Sequence, residues 1–231
     1  MESLVLIVGI LLAFQLDRAY QGSQDRKLET RYLERLREDL QSDTTEVARV
    51  VLLTEERLDQ VALLLEAARD PGFAAEHPME FVEAVEKVTW RSFPRIRSYT
   101  YDELQSTGRM SLLRSEELRS GLGAYYALVE DRRRLGLGED DQDRFRLETL
   151  GLLSAEHFGA IEDPERYPAE VAPADAVEIA RGLAGRPGAL VWLPRLTKYQ
   201  ILMRRSADEV RDAALRLMAE IDRQTEEGAS H

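Results

Sequence analysis

No cysteine occurs in the 231 residues. That excludes a disulfide framework, a thiolate metal site and a thiol nucleophile. Histidine is nearly missing too: His77, His157 and His231 stand apart, in Glu76-His77-Pro78, Glu156-His157-Phe158 and the tail. None falls into H-E-x-x-H or another ligand spacing, so no metal site is expected. The sequence contains no G-x-S-x-G, no P-loop and no three-glycine dinucleotide fingerprint; Leu135-Gly136-Leu137-Gly138 lacks both the third glycine and a preceding strand. Carboxylates are so plentiful that any pair passes as an acid–base couple, which makes the signal uninformative without geometry. No catalytic residue and no cofactor is expected. Lysine is scarce as well, with Lys27, Lys87 and Lys198 alone among 31 basic residues. Against 43 acids these leave a net charge of −12, which argues against nucleic acid as a partner.

What the chain does have is one long apolar run. Leu4 to Phe14 is unbroken if Gly9 is included, and Leu16 extends it past Gln15. As a helix this covers roughly 20 Å, against about 30 Å of bilayer hydrocarbon. A signal peptide calls for a basic head and a small-residue cleavage site, whereas Met1-Glu2-Ser3 and Gln15-Leu16-Asp17-Arg18 flank this run. A buried core helix is the plainer alternative. An all-round apolar segment reads better as a membrane anchor, marginally spanning or deeply inserted, with Leu4, Val5, Leu6, Ile7, Val8, Ile10, Leu11, Leu12 and Phe14 in lipid. Arg18, Arg26, Lys27, Arg31, Arg35 and Arg37 all follow it, a bias that, counted alone, would hold the C-terminal side in the cytoplasm, opposite to what the resemblance below implies.

Gly22-Ser23 breaks the pattern and predicts a second helix from about Gln24 to Arg69, free of Pro and Gly. Leu33, Leu36, Leu40, Val47, Val50, Leu58, Val61 and Leu65 form its apolar stripe. Asp70-Pro71-Gly72 stops it. Shorter helices are predicted at about 79–89, 99–107 (ended by Gly108), 115–135, 139–158 and 174–184. Residues 160–173 form a loop, Gly136-Leu137-Gly138 is a break, and a last helix runs from Pro194 to about Gln224 before a frayed tail. No stretch alternates as a strand does. The expected fold is all-α: an N-terminal membrane-anchor helix, residues 1–20, then an elongated helical-bundle domain, residues 21–231. Its long second and last helices pack together, with the shorter ones filling the layer.

Trp90 to Tyr99 interleaves Arg91, Arg95 and Arg97 with three aromatics and contains no acid. Arg91, Phe93, Arg95 and Arg97 are therefore candidate contacts for lipid phosphates or a partner's carboxylates. The plainer reading has Trp90, Phe93 and Ile96 plugging the core while the arginines bridge acidic helices. Arg132-Arg133-Arg134 ends a helix, where cations complement the dipole.

Two stretches together resemble a known family. Glu2-Ser3-Leu4-Val5-Leu6-Ile7-Val8-Gly9-Ile10-Leu11-Leu12-Ala13-Phe14-Gln15-Leu16 is similar to the G-I-L-I-A-L-Q-I-like anchor of a family of uncharacterised bacterial single-pass membrane proteins. Arg26-Lys27-Leu28-Glu29 and Tyr32-Leu33-Glu34-Arg35-Leu36-Arg37-Glu38-Asp39-Leu40 resemble its charged helix. Thr100-Tyr101-Asp102-Glu103-Leu104-Gln105-Ser106-Thr107-Gly108, then Leu112-Leu113, Glu117-Leu118-Arg119 and Tyr125-Tyr126, resemble its middle signature. The resemblance implies an N-terminal anchor in the bacterial inner membrane and a helical body on the periplasmic side, and brings no catalytic residues. In physical terms Ser106 and Gly108 are helix terminators, and Tyr125 and Tyr126 are one core ring and one rim ring. The expected role is a non-enzymatic, membrane-anchored scaffold or accessory subunit. It contacts membrane lipid and braces other membrane-protein subunits in a larger complex; one version is an accessory subunit of a photosynthetic reaction-centre and light-harvesting complex. An extracytoplasmic ligand-sensing module and an enzyme of unknown class are the alternatives.

Overall fold

From Ser23 to Arg69 no residue lacks a Cβ or a backbone N–H, and nothing local interrupts helical hydrogen bonding there. The computed structural model describes residues 2–135, 139–166 and 170–229; for 2–14, 135, 139, 228 and 229 it describes backbone alone. In it the first helix, α1, runs unbroken over Glu2–Arg69. The break predicted at Gly22-Ser23 does not occur. A lone helical glycine costs about 1 kcal/mol relative to alanine, which two good flanking helices outweigh. A local bond also crosses the position: Arg26 Nε donates to the Gly22 carbonyl at 3.3 Å.

Seven further helices follow among the described residues: α2 (Pro78–Lys87), α3 (Tyr99–Ser106), α4 (Glu116–Leu135), α5 (Glu139–Glu148), α6 (Ala155–Glu162), α7 (Pro173–Ala184) and α8 (Pro187–Ala229). Two 3₁₀ turns, Pro71–Ala75 and Arg109–Leu112, complete them, and no strand is present among the described residues. The fold is all-α.

Several stops lie where the residues demand them. Asp70 caps the first 3₁₀ turn by accepting the Gly72 N–H at 2.9 Å. Gly108 ends α3 at φ +68°, a left-handed conformation that costs any other residue its Cβ clearance. Ser115 accepts the Leu118 N–H at 3.1 Å and opens α4. The single helix expected over 139–158 is instead two, α5 and α6. Gly151 turns at φ +76°, and Ser154 and His157 form a reciprocal capping box that starts α6. Leu147 and Leu150 in this stretch are exposed. The last helix begins at Pro187 rather than Pro194. Pro187 occupies its first turn, where a missing N–H is harmless. Pro194 lies inside α8, which continues five residues past Gln224. The breaks expected at Gly136-Leu137-Gly138 and at Pro168 lie outside the described residues.

Along α1 the residues Leu36, Leu40, Asp43, Val47, Val50, Thr54, Arg57, Val61 and Leu64 alternate in steps of four and three and are all buried. This is the seam spacing of a helix packed along its length. Leu64 takes the place expected for Leu65, and three polar residues share the seam.

The helices gather into two compact units, each drawing on α1, α4 and α8. Unit 1 comprises Met1–Glu46, Arg95–Val129 and Val210–His231; unit 2 comprises Val47–Pro94 and Glu130–Glu209. The division expected between residues 20 and 21 falls within α1, in unit 1. The core of unit 1 contains Leu36 and Leu40 of α1, Leu104 of α3, Leu118, Leu122 and Tyr125 of α4, and Ile221 of α8. Arg37 and Asp222 add an exposed α1–α8 ion pair at 2.6 Å. In unit 2, Val61 and Leu64 of α1 join Phe81 and Val85 of α2, Phe145 of α5, Ile179 and Leu183 of α7, and Leu193 and Leu196 of α8. Truncating a wholly buried ring such as Phe81 or Phe145 costs about 3–5 kcal/mol. The long α1 and α8 thus each contribute to both units, where the expectation is a single elongated domain.

Among the described residues no helix is long and apolar enough to cross a membrane. The side chains expected to form an anchor, Leu4, Val5, Leu6, Ile7, Val8, Ile10, Leu11, Leu12 and Phe14, lie outside what the structure describes. Gln15 to Gln21, which follow them, are all exposed.

Candidate functional site

Residues 90–98 form no regular structure, so their backbone polar groups need partners from elsewhere. Buried side chains of α1 supply two of them. Arg57, 5 % exposed, donates from Nε to the Trp90 carbonyl at 2.9 Å and from Nη1 to the Leu53 carbonyl at 2.8 Å. Burial holds its guanidinium below the usual arginine range, partly offset by neighbouring Glu56. Asp43, wholly buried, accepts the Arg97 N–H at 2.7 Å on one oxygen and the Tyr125 hydroxyl at 2.8 Å on the other. Asp39 accepts the Thr100 N–H at 3.3 Å.

These carboxylates do what a local cap does not. The first N–H groups of α3 lack helical partners, and Ser98 makes no side-chain cap; its hydroxyl donates to Asp102 at 2.6 Å instead. Residues on α1 close the gap. Glu29 does the same at the entry to α4, accepting the Arg114 N–H at 2.8 Å.

The electrostatics follow from burial. Desolvation raises the Asp43 carboxyl to about 6, opposed by the Arg97 N–H and the Tyr125 hydroxyl. Burial, and then the Asp43 charge, push both the Tyr125 and Tyr126 phenols well above their usual range. Tyr126 stacks on Tyr101 at 4.3 Å, meets the edge of Tyr125 at 5.0 Å and donates to the Arg97 carbonyl at 2.9 Å. Of the expected core and rim rings, Tyr125 is the core one and Tyr126 the half-buried one. Nearby, Tyr32 donates to Glu103 at 2.8 Å, while Arg35 reaches the other Glu103 oxygen at 2.7 Å. The bonds from Arg35 and Tyr32 hold the Glu103 carboxyl below its usual range.

The four candidate contacts are placed unequally. Arg91 donates to Gln142 at 3.1 Å and lies 3.7 Å from Asp143 on α5, and Phe93 is half-buried; both belong to unit 2. Arg95 and Arg97 are exposed and belong to unit 1. Trp90, Phe93 and Ile96 are half-buried, so the aromatic plug is partial. Arg91 bridges to an acidic helix, as the plainer reading has it.

The three-arginine cluster ending α4 is taken up by ion pairs: Arg132 with Glu209 at 2.7 Å, and Arg133 and Arg134 with Glu130. His157 caps α6 and His77 precedes α2, 3.2 Å from Glu80. Among the described residues no three acidic or imidazole groups are placed to hold a metal ion.

Asp43, Asp39 and Arg57 are the residues that pattern reading passes over. Their signal is positional: Asp43 and Arg57 occupy seam steps that apolar residues fill elsewhere, so each arrives in the core bearing a charge. Compared with protein-family models, with curated proteins and with solved structures, the chain matches none of them.

Proposed function

We propose that the chain is a membrane-tethered helical scaffold, without catalytic activity of its own, that binds and braces other membrane proteins. The observation that carries this reading is the state of α1 just after the apolar run. Gln15 to Gln21 form two helical turns with every side chain exposed, Leu16 at 71 % and Tyr20 at 65 % among them. A helix packed on its own unit hides one face; over Gln15 to Gln21 α1 hides none. On this reading the apolar run that precedes these turns in the sequence partitions into lipid, with Tyr20, Asp17 and Arg18 at the headgroup level.

Because α1 is continuous, the tether and the buried seam of unit 1 are one element, and a pull on the first is felt by the second. Further support comes from the polar groups of α1. Glu29, Asp39, Asp43 and Arg57 are committed to holding loops and helix starts rather than aimed at a substrate. Arg95 and Arg97, exposed, are the side chains offered to anionic lipid or to acidic partner surfaces. We place the protein at a bacterial inner membrane with its helical body on the periplasmic side.

The test is purification of the native membrane complex in mild detergent from cells carrying a tagged chain. The expected result is a fixed set of co-purifying membrane proteins in constant ratio. A chain recovered alone and monodisperse from crosslinked membranes contradicts the scaffold.

A further inference from the structure

In unit 2 a cavity of about 350 Å³ opens between α2, α5 and α6. Its size falls within the range of small-molecule sites, about 300–1,000 Å³. α2 contributes Val85 and Glu86, α5 contributes Arg146, and the turn that joins α5 to α6 contributes Leu150 and Leu153. Phe158 of α6 completes the apolar lining. Leu150 is 63 % exposed and Phe158 41 %, so this apolar surface meets solvent instead of being spent on the core.

Two charges of opposite sign share the lining. Glu86 on α2 and Arg146 on α5 make no ion pair, with each other or elsewhere, among the described residues. Glu86 accepts the Trp90 indole N–H at 3.4 Å. Arg146 donates from Nη2 to the Thr89 hydroxyl at 3.0 Å, and that hydroxyl donates in turn to the Glu86 carbonyl at 3.0 Å. The guanidinium is thus tied to the end of the helix that carries the carboxylate, with the rest of its donor fork uncommitted among the described residues. Thr149 also lines the cavity, but its hydroxyl is used on the Phe145 carbonyl at 3.0 Å. Arg146 is exposed and Glu86 half-buried, so both are reached without opening the unit.

A lone carboxylate placed here meets Glu86 as a like charge, and a lone amine meets Arg146 as one. A molecule that carries both charges close together on an apolar body matches every wall. We infer that this cavity binds a free α-amino acid with an apolar side chain. The α-carboxylate takes the Arg146 fork, the α-ammonium takes Glu86, and the side chain lies against Leu150, Leu153 and Phe158. Charge-assisted hydrogen bonds at the two ends fix the orientation, and the apolar wall sets the preference for a leucine-like side chain over a smaller one. This binding site stands independently of the tether.

The experiment is calorimetric titration of the full-length chain in a non-ionic detergent at physiological ionic strength. The probes are L-leucine, 4-methylpentanoate (leucine without its ammonium), isopentylamine (leucine without its carboxylate) and glycine. Saturable one-to-one binding of L-leucine, at least about tenfold tighter than each of the other three, is expected. Arg146→Gln should weaken leucine about tenfold and leave isopentylamine alone, whereas Glu86→Gln should weaken leucine to the same degree and leave 4-methylpentanoate alone, with the circular dichroism spectrum unchanged. Phe158→Ala should narrow the gap between leucine and glycine. The series of probes needs no substitution, so it decides the matter by itself if a variant loses its fold. No saturable heat with L-leucine, leucine bound no tighter than either single-charge analogue, or folded charge variants that bind like wild type overturn the assignment.

Discussion

Asp43 and Tyr125, 82 residues apart, meet at 2.8 Å in the core of unit 1, where the phenol donates to a carboxylate wholly removed from solvent. The same carboxylate takes the Arg97 N–H on its other oxygen. One acid on α1 thus holds α4 and the segment that leads into α3.

That arrangement gives unit 1 a definite pH dependence. The Asp43 carboxyl sits at about 6 when folded against 3.8 ordinarily, so between those values the folded state binds the extra proton. Stability from this group is full below about 4 and declines as pH rises through 6. At 1.36 kcal/mol per pKa unit, the gap from 3.8 to about 6 amounts to roughly 3 kcal/mol. Urea unfolding at pH 4, 5, 6 and 7 should show Asp43→Asn gaining on wild type across that range. Asp43→Ala should instead be less stable throughout, because two buried donors lose their acceptor at about 1–3 kcal/mol each.

Arg57 is the corresponding charge in unit 2. Arg57→Ala opens a gap in the seam and strips the Trp90 carbonyl of its donor, a loss of about 2–4 kcal/mol in chemical denaturation. Arg57→Met refills most of the volume and should recover about half of that loss.

Two glycines should respond in opposite directions to alanine. Gly22 has nothing within 4 Å of a built Cβ, and it lies inside α1, so Gly22→Ala should stabilise by about 0.5–1 kcal/mol. Gly108, at φ +68°, should lose about 1 kcal/mol on the same change despite equally open surroundings. Thermal melts of both variants compare them directly.

For the loop, Arg95→Gln with Arg97→Gln should leave melting unchanged, because both side chains are exposed and Asp43 and Tyr126 grip only the backbone of Arg97. Affinity for anionic vesicles, read by sedimentation, should fall by a factor of about thirty if each arginine contributes near 1 kcal/mol at the surface. Arg91→Gln, which breaks a bridge to α5, should lower the melting temperature instead.

Much of the fold was legible where one residue decides alone. Asp70-Pro71-Gly72 stops α1, and Gly108 turns the chain after α3, because backbone chemistry at those points admits few alternatives. Gly22 and Pro194 were misleading for the same reason inverted: each weakens a helix locally, and long flanking segments with packed faces carry the helix through. The α5–α6 division rests on Gly151 and the Ser154–His157 box, signals present in the sequence but hidden inside a leucine-rich stretch. The tyrosine pair read correctly because an aromatic with a hydroxyl favours a site with one wet or hydrogen-bonded edge. The caps from Asp39 and Asp43 and the cavity between α2, α5 and α6 depend on which helices pair, and helix pairing is not written in any one segment. Even so, a charged residue at a seam step, as at Asp43 and Arg57, is a mark that spacing alone can reveal.

The central claim, that the opening segment of α1 enters lipid, is tested most directly by floating the purified chain with liposomes through a density gradient after an alkaline carbonate wash. Wild type should rise with the vesicles, and Val8→Asp with Leu11→Asp should stay at the bottom with its helicity intact. A wild-type chain that remains in the dense fraction, or a double variant that floats equally well, contradicts the account.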